Sequence, residues 1–441
     1  MTDKKLIQYP DGYLNRVPIL QFILVTLLFP LWGAAASLND ILITQFKVVF
    51  DLSDFATGFV QSAFYGGYFL IAIPAATVIK KTSYRVAIIV GLIFYIVGCF
   101  LFFPASSMAT YGMFLFAIFG IAVGLSFLET SANTYVTMLG PKESATRRIN
   151  LAQVFYPIGA MSGIILGKYF VFTGGESLES QIAGMSPAEA KQFSLEMLQR
   201  TLVPYKFILI ILLVVLVMFL IFKFPNTKAE ESKGSKKRVS LIETLKYLVK
   251  NGPFKRGIFA QFIYMALQTT VWSFTIRLAL EISETANERF ASNFMIYSFI
   301  AFFIGRFLAN FLMSRLKPTF VLTMYSVIGT LVLAYVALVP NMSAVYGAVF
   351  VSVLFGPCWP TIYGRTLETV DDKYRETAGA FLVMAIIGGA AGPPLQGLFS
   401  DIVGSLQTSF LLPMLFFLYL AYYFYKENKT LPETNRVVSE K

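Results

Sequence analysis

The chain contains no histidine, and its 441 residues include only two cysteines and three tryptophans. Without histidine there is no His-based catalytic triad, no His-ligated zinc or haem, and no imidazole proton shuttle. Any proton chemistry falls to carboxylates. Cys99 and Cys358 lie far apart inside apolar runs and read as small buried core residues, not as a disulfide or a metal pair. Charge is scarce too: Asp, Glu, Lys and Arg make up 14% of the chain, where a soluble domain carries about 25%. No phosphate-cradling loop of the G-x-x-x-x-G-K-[ST] type is present, so a nucleotide-driven pump is not expected. No nucleophile–base arrangement points to an enzyme, and no metal site or organic cofactor is expected.

What the chain has instead is apolar length. It is 56% hydrophobic, with a mean hydropathy of +0.66, and runs of about 20 apolar residues, enough to cross a bilayer, recur throughout. Twelve spans are expected, at 18–42, 55–79, 85–104, 109–138, 149–171, 204–224, 255–279, 291–314, 318–339, 341–365, 377–400 and 405–426. The first sixteen residues are polar, so no cleavable signal peptide is expected before them. The fold class is therefore all-α and polytopic. Residues 1–224 form one six-helix half, 225–254 a Lys-rich linker, 255–426 the second half and 427–441 a tail.

Charge position sets orientation. With both termini inside, 28 of the 36 lysines and arginines fall on the cytoplasmic side, seven fall outside, and Arg306 lies within a span. The net charge of +11 is thus a topology signal whose partner is the lipid bilayer, not nucleic acid. A monomer in a bacterial cytoplasmic membrane is expected. The external loop 172–203 contains Ser186-Pro187-Ala188-Glu189, a capping box with proline at the first helical position. It predicts a short amphipathic surface helix through Phe193, Leu195, Met197 and Leu198 over the outer mouth.

The halves resemble each other at an offset of roughly 230 residues. Lys80-Lys81-Thr82-Ser83-Tyr84-Arg85 joins the second and third spans, and Ser314-Arg315-Leu316-Lys317-Pro318 joins the eighth and ninth. Pro157, Gly159 and Gly163 in the fifth span follow Arg147 and Arg148; Gly388, Gly389, Gly392, Pro393 and Pro394 in the eleventh follow Lys373 and Arg375. Paired six-helix halves with a midplane site between them are a transporter architecture in which one half rocks against the other. Small residues let the moving helices approach closely.

Ionisable side chains deep in a span cost about 2.5–3.5 kcal/mol each on insertion scales, and two stand out. Asp40 ends the run Trp32-Gly33-Ala34-Ala35-Ala36-Ser37-Leu38-Asn39-Asp40, and Glu129 lies in Leu128-Glu129-Thr130-Ser131-Ala132-Asn133. No lysine or arginine lies within several residues of either. A carboxyl enclosed without a cation favours its neutral form and ionises when opened to water, as proton coupling requires. The competing reading is a helix-packing acid hydrogen-bonded to a neighbouring span.

Asn150, Gln153 and Tyr156 share one face of the fifth span, and amides offer paired donors and acceptors that match vicinal hydroxyls. Helix–helix glue is the competing reading. The seventh span carries Gln261, Gln268 and Trp272 before Arg277, and the tenth carries Pro357-Cys358-Trp359-Pro360-Thr361-Ile362-Tyr363, with Trp359 opposite Glu129 in the repeat. Trp32, Trp272 and Trp359 all sit well inside spans, and an indole face suits the C–H side of a sugar ring. Arg277 is expected near the external end of its span, snorkelling to water. Arg306 and Arg365 read as gate or loop contacts.

These segments carry a family resemblance. Leu31-Trp32-Gly33 with Leu38-Asn39-Asp40, Gln61-Ser62-Ala63-Phe64-Tyr65-Gly66-Gly67-Tyr68-Phe69, Leu128-Glu129-Thr130 with Ala132-Asn133, and Asn150-Leu151-Ala152-Gln153 carry the first half. Trp272-Ser273, Ile276-Arg277, Pro360-Thr361-Ile362 and Met384 with Ile386-Ile387-Gly388-Gly389 carry the second. Over nearly its whole length the chain resembles the fucose–galactose–glucose:proton symporter branch of the major facilitator superfamily. The resemblance implies the major facilitator fold and import of a small sugar, L-fucose first, driven by protons through alternating access. It implies that Asp40 senses or binds the sugar and that Glu129 carries the proton. It also implies a sugar contact at Gln153 and a more aromatic second-half wall. The sugar-contacting set is then Asp40, Trp32, Asn133, Gln153, Tyr156, Gln268, Trp272, Trp359 and Tyr363. Ser37, Tyr156 and Trp359 depart from the pattern of the fucose carriers, which have asparagine, another amide and tyrosine there. Glucose, galactose or N-acetylglucosamine is therefore the alternative cargo. A non-transporting sugar sensor is the alternative of a different class, although such sensors usually have long tails.

Overall fold

The computed structural model describes residues 6–10, 12–227, 241–283, 285–371 and 374–430. Much of the expected linker and tail (228–240, 431–441) and Lys373 lie outside the described residues, as do the side chains of Arg147, Asn150 and Arg375. Apart from one isolated antiparallel bridge between Gln8 and Leu14, the regular structure among the described residues is helical.

Eleven helices of the described residues are long and apolar enough to cross a membrane. With one further long helix they are named in chain order. The first half has α1 (Ile19–Val49), α2 (Asp54–Ile79), α3 (Tyr84–Met108), α4 (Tyr111–Met138), α5 (Leu151–Val171) and α6 (Pro187–Ile221). The further helix, α7 (Gly252–Ile282), stands at the place of the seventh expected span. Its buried Gln261, Gln268, Thr269, Thr270, Ser273 and Thr275 make it more polar than the other eleven. The second half continues with α8 (Glu288–Met313), α9 (Pro318–Leu338), α10 (Met342–Glu368), α11 (Thr377–Val403) and α12 (Leu406–Asn428).

One expectation is overturned at the outer loop. The capping box at Ser186 and Glu189 is present, but the helix it starts is not a separate surface helix. It runs unbroken for 35 residues into α6, passing through Pro204. In the sequence Pro204 reads as the start of a new span. Proline removes only one N–H from the ladder, and neighbouring helices support the turn it disturbs. Met197 and Leu198 are buried in this continuous helix, so its outer turns pack into the bundle.

Lipid offers helices little hydrophobic reason to associate, so close packing must hold them together. The repeat supplies it twice. A Cβ on Gly159 would lie 2.0 Å from the Pro30 carbonyl oxygen, and one on Gly163 would lie 2.5 Å from that of Ala34. In the second half a Cβ on Gly388 would lie 2.0 Å from the Phe262 carbonyl oxygen, and one on Gly392 would lie 2.8 Å from that of Ala266. Hence α5 rests on α1 as α11 rests on α7, by glycines at matching positions.

Two main cores follow. One gathers first-half residues such as Phe46, Tyr95, Phe102, Phe114 and Tyr205. The other gathers mostly second-half residues such as Phe274, Phe294, Phe355 and Phe417. Val49, Tyr65 and Ile386 pack against both. Cys99 and Cys358 are free and buried, one in each core.

Candidate site between the halves

The Asp40 side chain is 4% exposed and faces the seam between the halves. A buried carboxylate needs donors, and here they come from both sides. Gln61 of α2 donates its Nε2–H to Asp40 Oδ1 at 3.0 Å, and the Ser273 hydroxyl of α7 donates to the same oxygen at 3.3 Å. Gln61 also donates to Ser273 Oγ at 2.9 Å, which closes a triangle across the two halves. Among the described residues, neither Asp40 nor Glu129 forms an ion pair.

Glu129 projects from α4 deep in the molecule yet keeps accessible surface. It lies within electrostatic reach of the Tyr65, Tyr68 and Tyr156 hydroxyls. One turn further, Asn133 accepts a 2.9 Å hydrogen bond from Gln153, tying α4 to α5. Tyr156 meets the edge of Trp32 at a centroid distance of 5.1 Å, and is within reach of Glu129, Asp40 and Arg306. The structure therefore gathers Trp32, Asp40, Glu129, Asn133, Gln153 and Tyr156 on one first-half wall.

The second-half candidates separate into two groups. Trp359 stacks on Tyr363 at 5.1 Å with an interplanar angle of 8°, and both are half-buried. Trp272 instead sits among Phe299, Phe302 and Phe355, and its indole N–H donates to Ser352 at 3.0 Å. Gln268 is buried on the same helix. Nearer the start of α7, Gln261 is fully buried with neither amide atom partnered. Arg306 lies over the Phe302 ring at 5.0 Å and approaches the Gly356 carbonyl at 3.5 Å.

Sequence reasoning missed Gln61 and Ser273 as site residues, although both are polar positions inside spans. Arg277 lies near the end of α7 expected to be external and lines a cavity there, but it is 9% exposed and its partner was not foreseen. Its guanidinium pairs with Asp54 of the first half, which also binds Lys47 and accepts a 2.5 Å hydrogen bond from Ser400. A buried counter-ion from the other half is a better partner than the interface, and no local pattern predicts that partner. Asp401 accepts from the backbone N–H groups of Asp54 and Phe55 at 2.8 and 2.9 Å. Close packing continues inward along α2 and α11. A Cβ on Gly397 would lie 2.2 Å from the Asp54 carbonyl, and one on Gly58 2.5 Å from Pro394.

The second seam, between α5 and α8, is tied at the same end. Lys168 donates to Asn293 at 2.6 Å, and Arg289 donates to the carbonyls of Lys168, Tyr169 and Phe172 at 3.2–3.3 Å. This is the end that the charge bias assigns to the outside. It holds a cavity of about 690 Å³ lined by Lys47, Asp54, Arg277 and Asp401, among others. In this conformation polar links join the halves at that end, and the Asp40 triangle lies deeper along the same seam.

Residues 19–386 match the family model of the Major Facilitator Superfamily. The chain is 35% identical over 410 residues to the L-fucose-proton symporter of Escherichia coli (strain K12), covering 92% of this chain and 93% of that one. It is 29% identical over 400 residues to a glucose/galactose transporter of Brucella abortus, covering 90% and 92%. Among solved structures, a point variant of the Escherichia coli fucose:proton symporter FucP superposes with a TM-score of 0.67 at 34% identity, covering 94% of this chain and 100% of that one.

Proposed function

As the chain belongs to the major facilitator superfamily, we propose that it imports a small sugar, L-fucose first, together with a proton. The observation that carries this reading is the Asp40–Gln61–Ser273 triangle, a cation-free carboxylate shared between the halves, with Glu129 on the same wall. Relatives named as L-fucose-proton symporters, at 35% and 33% identity, support the substrate.

In this reading Glu129 takes a proton from the outside while the halves are open outward, and sugar binds against Trp32, Gln153 and Asp40. An enclosed carboxyl is stable in its neutral form, so a protonated Glu129 permits closure whereas an ionised one resists it. Outer closure then brings Arg277 to Asp54 and Ser273 to Asp40, giving the links described above. Opening on the other side exposes Glu129 to water, where it releases its proton as the sugar leaves. Trp359 and Tyr363 form the facing aromatic wall. The proton gradient alone drives accumulation.

The test is uptake of labelled L-fucose by proteoliposomes with an imposed pH gradient. Uphill uptake that a protonophore abolishes is expected. Glu129→Gln is expected to keep counterflow exchange and lose uphill uptake; normal accumulation by that variant would remove Glu129 from the mechanism. Competition by unlabelled glucose, galactose and N-acetylglucosamine decides the cargo. Glucose or galactose is the second reading, favoured by the 29% identical transporter and by tryptophan at position 359.

A further inference from the structure

Tyr65 lies one turn beyond Gln61 on α2, so the two side chains leave the same helix face. Gln61 holds the Asp40 triangle, and Ser62 donates to the Ala390 carbonyl of α11 at 2.7 Å. The Tyr65 ring covers Gly389. A Cβ at that position would lie 2.7 Å from ring carbon Cδ2 and 2.9 Å from Cε2 and Cγ, so glycine alone leaves room for the ring. With Val49 and Ile386, Tyr65 packs against both hydrophobic cores.

Gly389 follows a three-residue 3₁₀ turn, Ala385–Ile387, inside α11. Such a tightened segment within a helix commonly marks a hinge. Above the ring, the hydroxyl lies within electrostatic reach of Asp40 on α1, Glu129 on α4, Tyr156 on α5 and Tyr264 on α7. It makes no hydrogen bond to another described residue.

We infer that Tyr65 is a positioning residue that ties the hinge of α11 to the two carboxylates. Its ring seats over Gly389 only while the outer end is shut, and in that seat its hydroxyl is within electrostatic reach of both Asp40 and Glu129. Outward opening lifts α11 off the ring and lets the hydroxyl leave, so the carboxylates meet a different environment in each state. The hydroxyl's role rests on the proton-symport reading above; the seat does not.

Two arms test it. Tyr65→Phe keeps the ring and removes the hydroxyl. In proteoliposomes it is expected to hold counterflow within about twofold of the parent while gradient-driven accumulation falls about tenfold, the scale of removing a polar group from beside buried charge. The pH profile of exchange is expected to shift with it. Parental accumulation and an unchanged pH profile would overturn the hydroxyl's role.

The seat is read without sugar. Ser62→Cys, in the half-buried seam, is labelled with a membrane-impermeant maleimide, the two native cysteines being buried. Adding Gly389→Ala is expected to raise outside labelling at least about threefold, because the ring no longer seats, and adding Tyr65→Leu as well is expected to return it towards the parent. Labelling that ignores Gly389→Ala, or that Tyr65→Leu fails to reverse, would overturn the seat. A parent that labels as described but accumulates no sugar would instead bring down the symport reading and leave the seat standing.

Discussion

Ser273 of the second half donates a hydrogen bond to the Asp40 carboxylate of the first half across 3.3 Å. Gln61 bonds both of them, so this one contact joins the proposed sugar-sensing acid to the closure of the molecule. A link that exists only when the halves meet is a means of coupling an occupied site to a conformational change.

Ser273→Ala removes the cross-half donor without adding bulk. A hydrogen bond contributes about 0.5–1.5 kcal/mol, so the closed form is expected to lose roughly two- to tenfold in population. Initial sugar uptake should fall by a similar factor while the melting temperature of the purified protein stays close to the parent's. Parental uptake would show that the contact does not carry coupling.

Asp54→Asn leaves Lys47 and Arg277 without their shared counter-ion in a buried place. Breaking a buried pair from one side costs about 3–5 kcal/mol, and here the penalty falls on the outward-shut form. The variant is expected to favour an open outer end, seen as increased reaction of a cysteine placed at Ser400 with an impermeant thiol reagent. No increase would mean that the close packing of Gly58 on Pro394 suffices for closure.

Trp32 and Trp272 are expected to separate binding from stability. Trp32 is half-buried against Tyr156, so Trp32→Ala should lower sugar affinity with little effect on unfolding. Trp272 is likewise half-buried but contacts three phenylalanines and is hydrogen-bonded to Ser352. Trp272→Ala should therefore destabilise by about 3–5 kcal/mol. Thermal unfolding in detergent, paired with equilibrium sugar binding, reads both; equal destabilisation by the two would refute the distinction.

Gly163→Leu puts side-chain atoms where a Cβ would already lie 2.2 Å from Ser37 Oγ. Overpacking of this kind costs about 1–3 kcal/mol and rises when backbone is the obstacle. Low folded yield on size-exclusion chromatography is expected. Gly66→Ala is the control, since a Cβ there meets nothing within 4 Å and should leave the yield unchanged.

The membrane class and the repeat could be read from the chain because their signals are local. A run of apolar residues must become a helix in lipid, where no water can satisfy a free backbone. The glycines at 159, 163, 388 and 392 recur at one offset because two similar halves need the same close approach. Where the reading failed, the signal was not local. Pro204 looks like a helix start but lies inside α6. The polarity of α7 weakens its span signal because its polar face meets protein.

By itself, then, the order of residues determined a polytopic helical chain of two related halves, with acids at 40 and 129 that have no basic neighbour along the sequence. Only the tertiary structure decided which groups complete those acids. Gln61 and Ser273 lie 21 and 233 residues from Asp40, and Arg277 lies 223 from Asp54. Hydrogen bonds and ion pairs depend on distances of about 3 Å in space, and no periodicity within a single helix encodes a partner supplied by the other half.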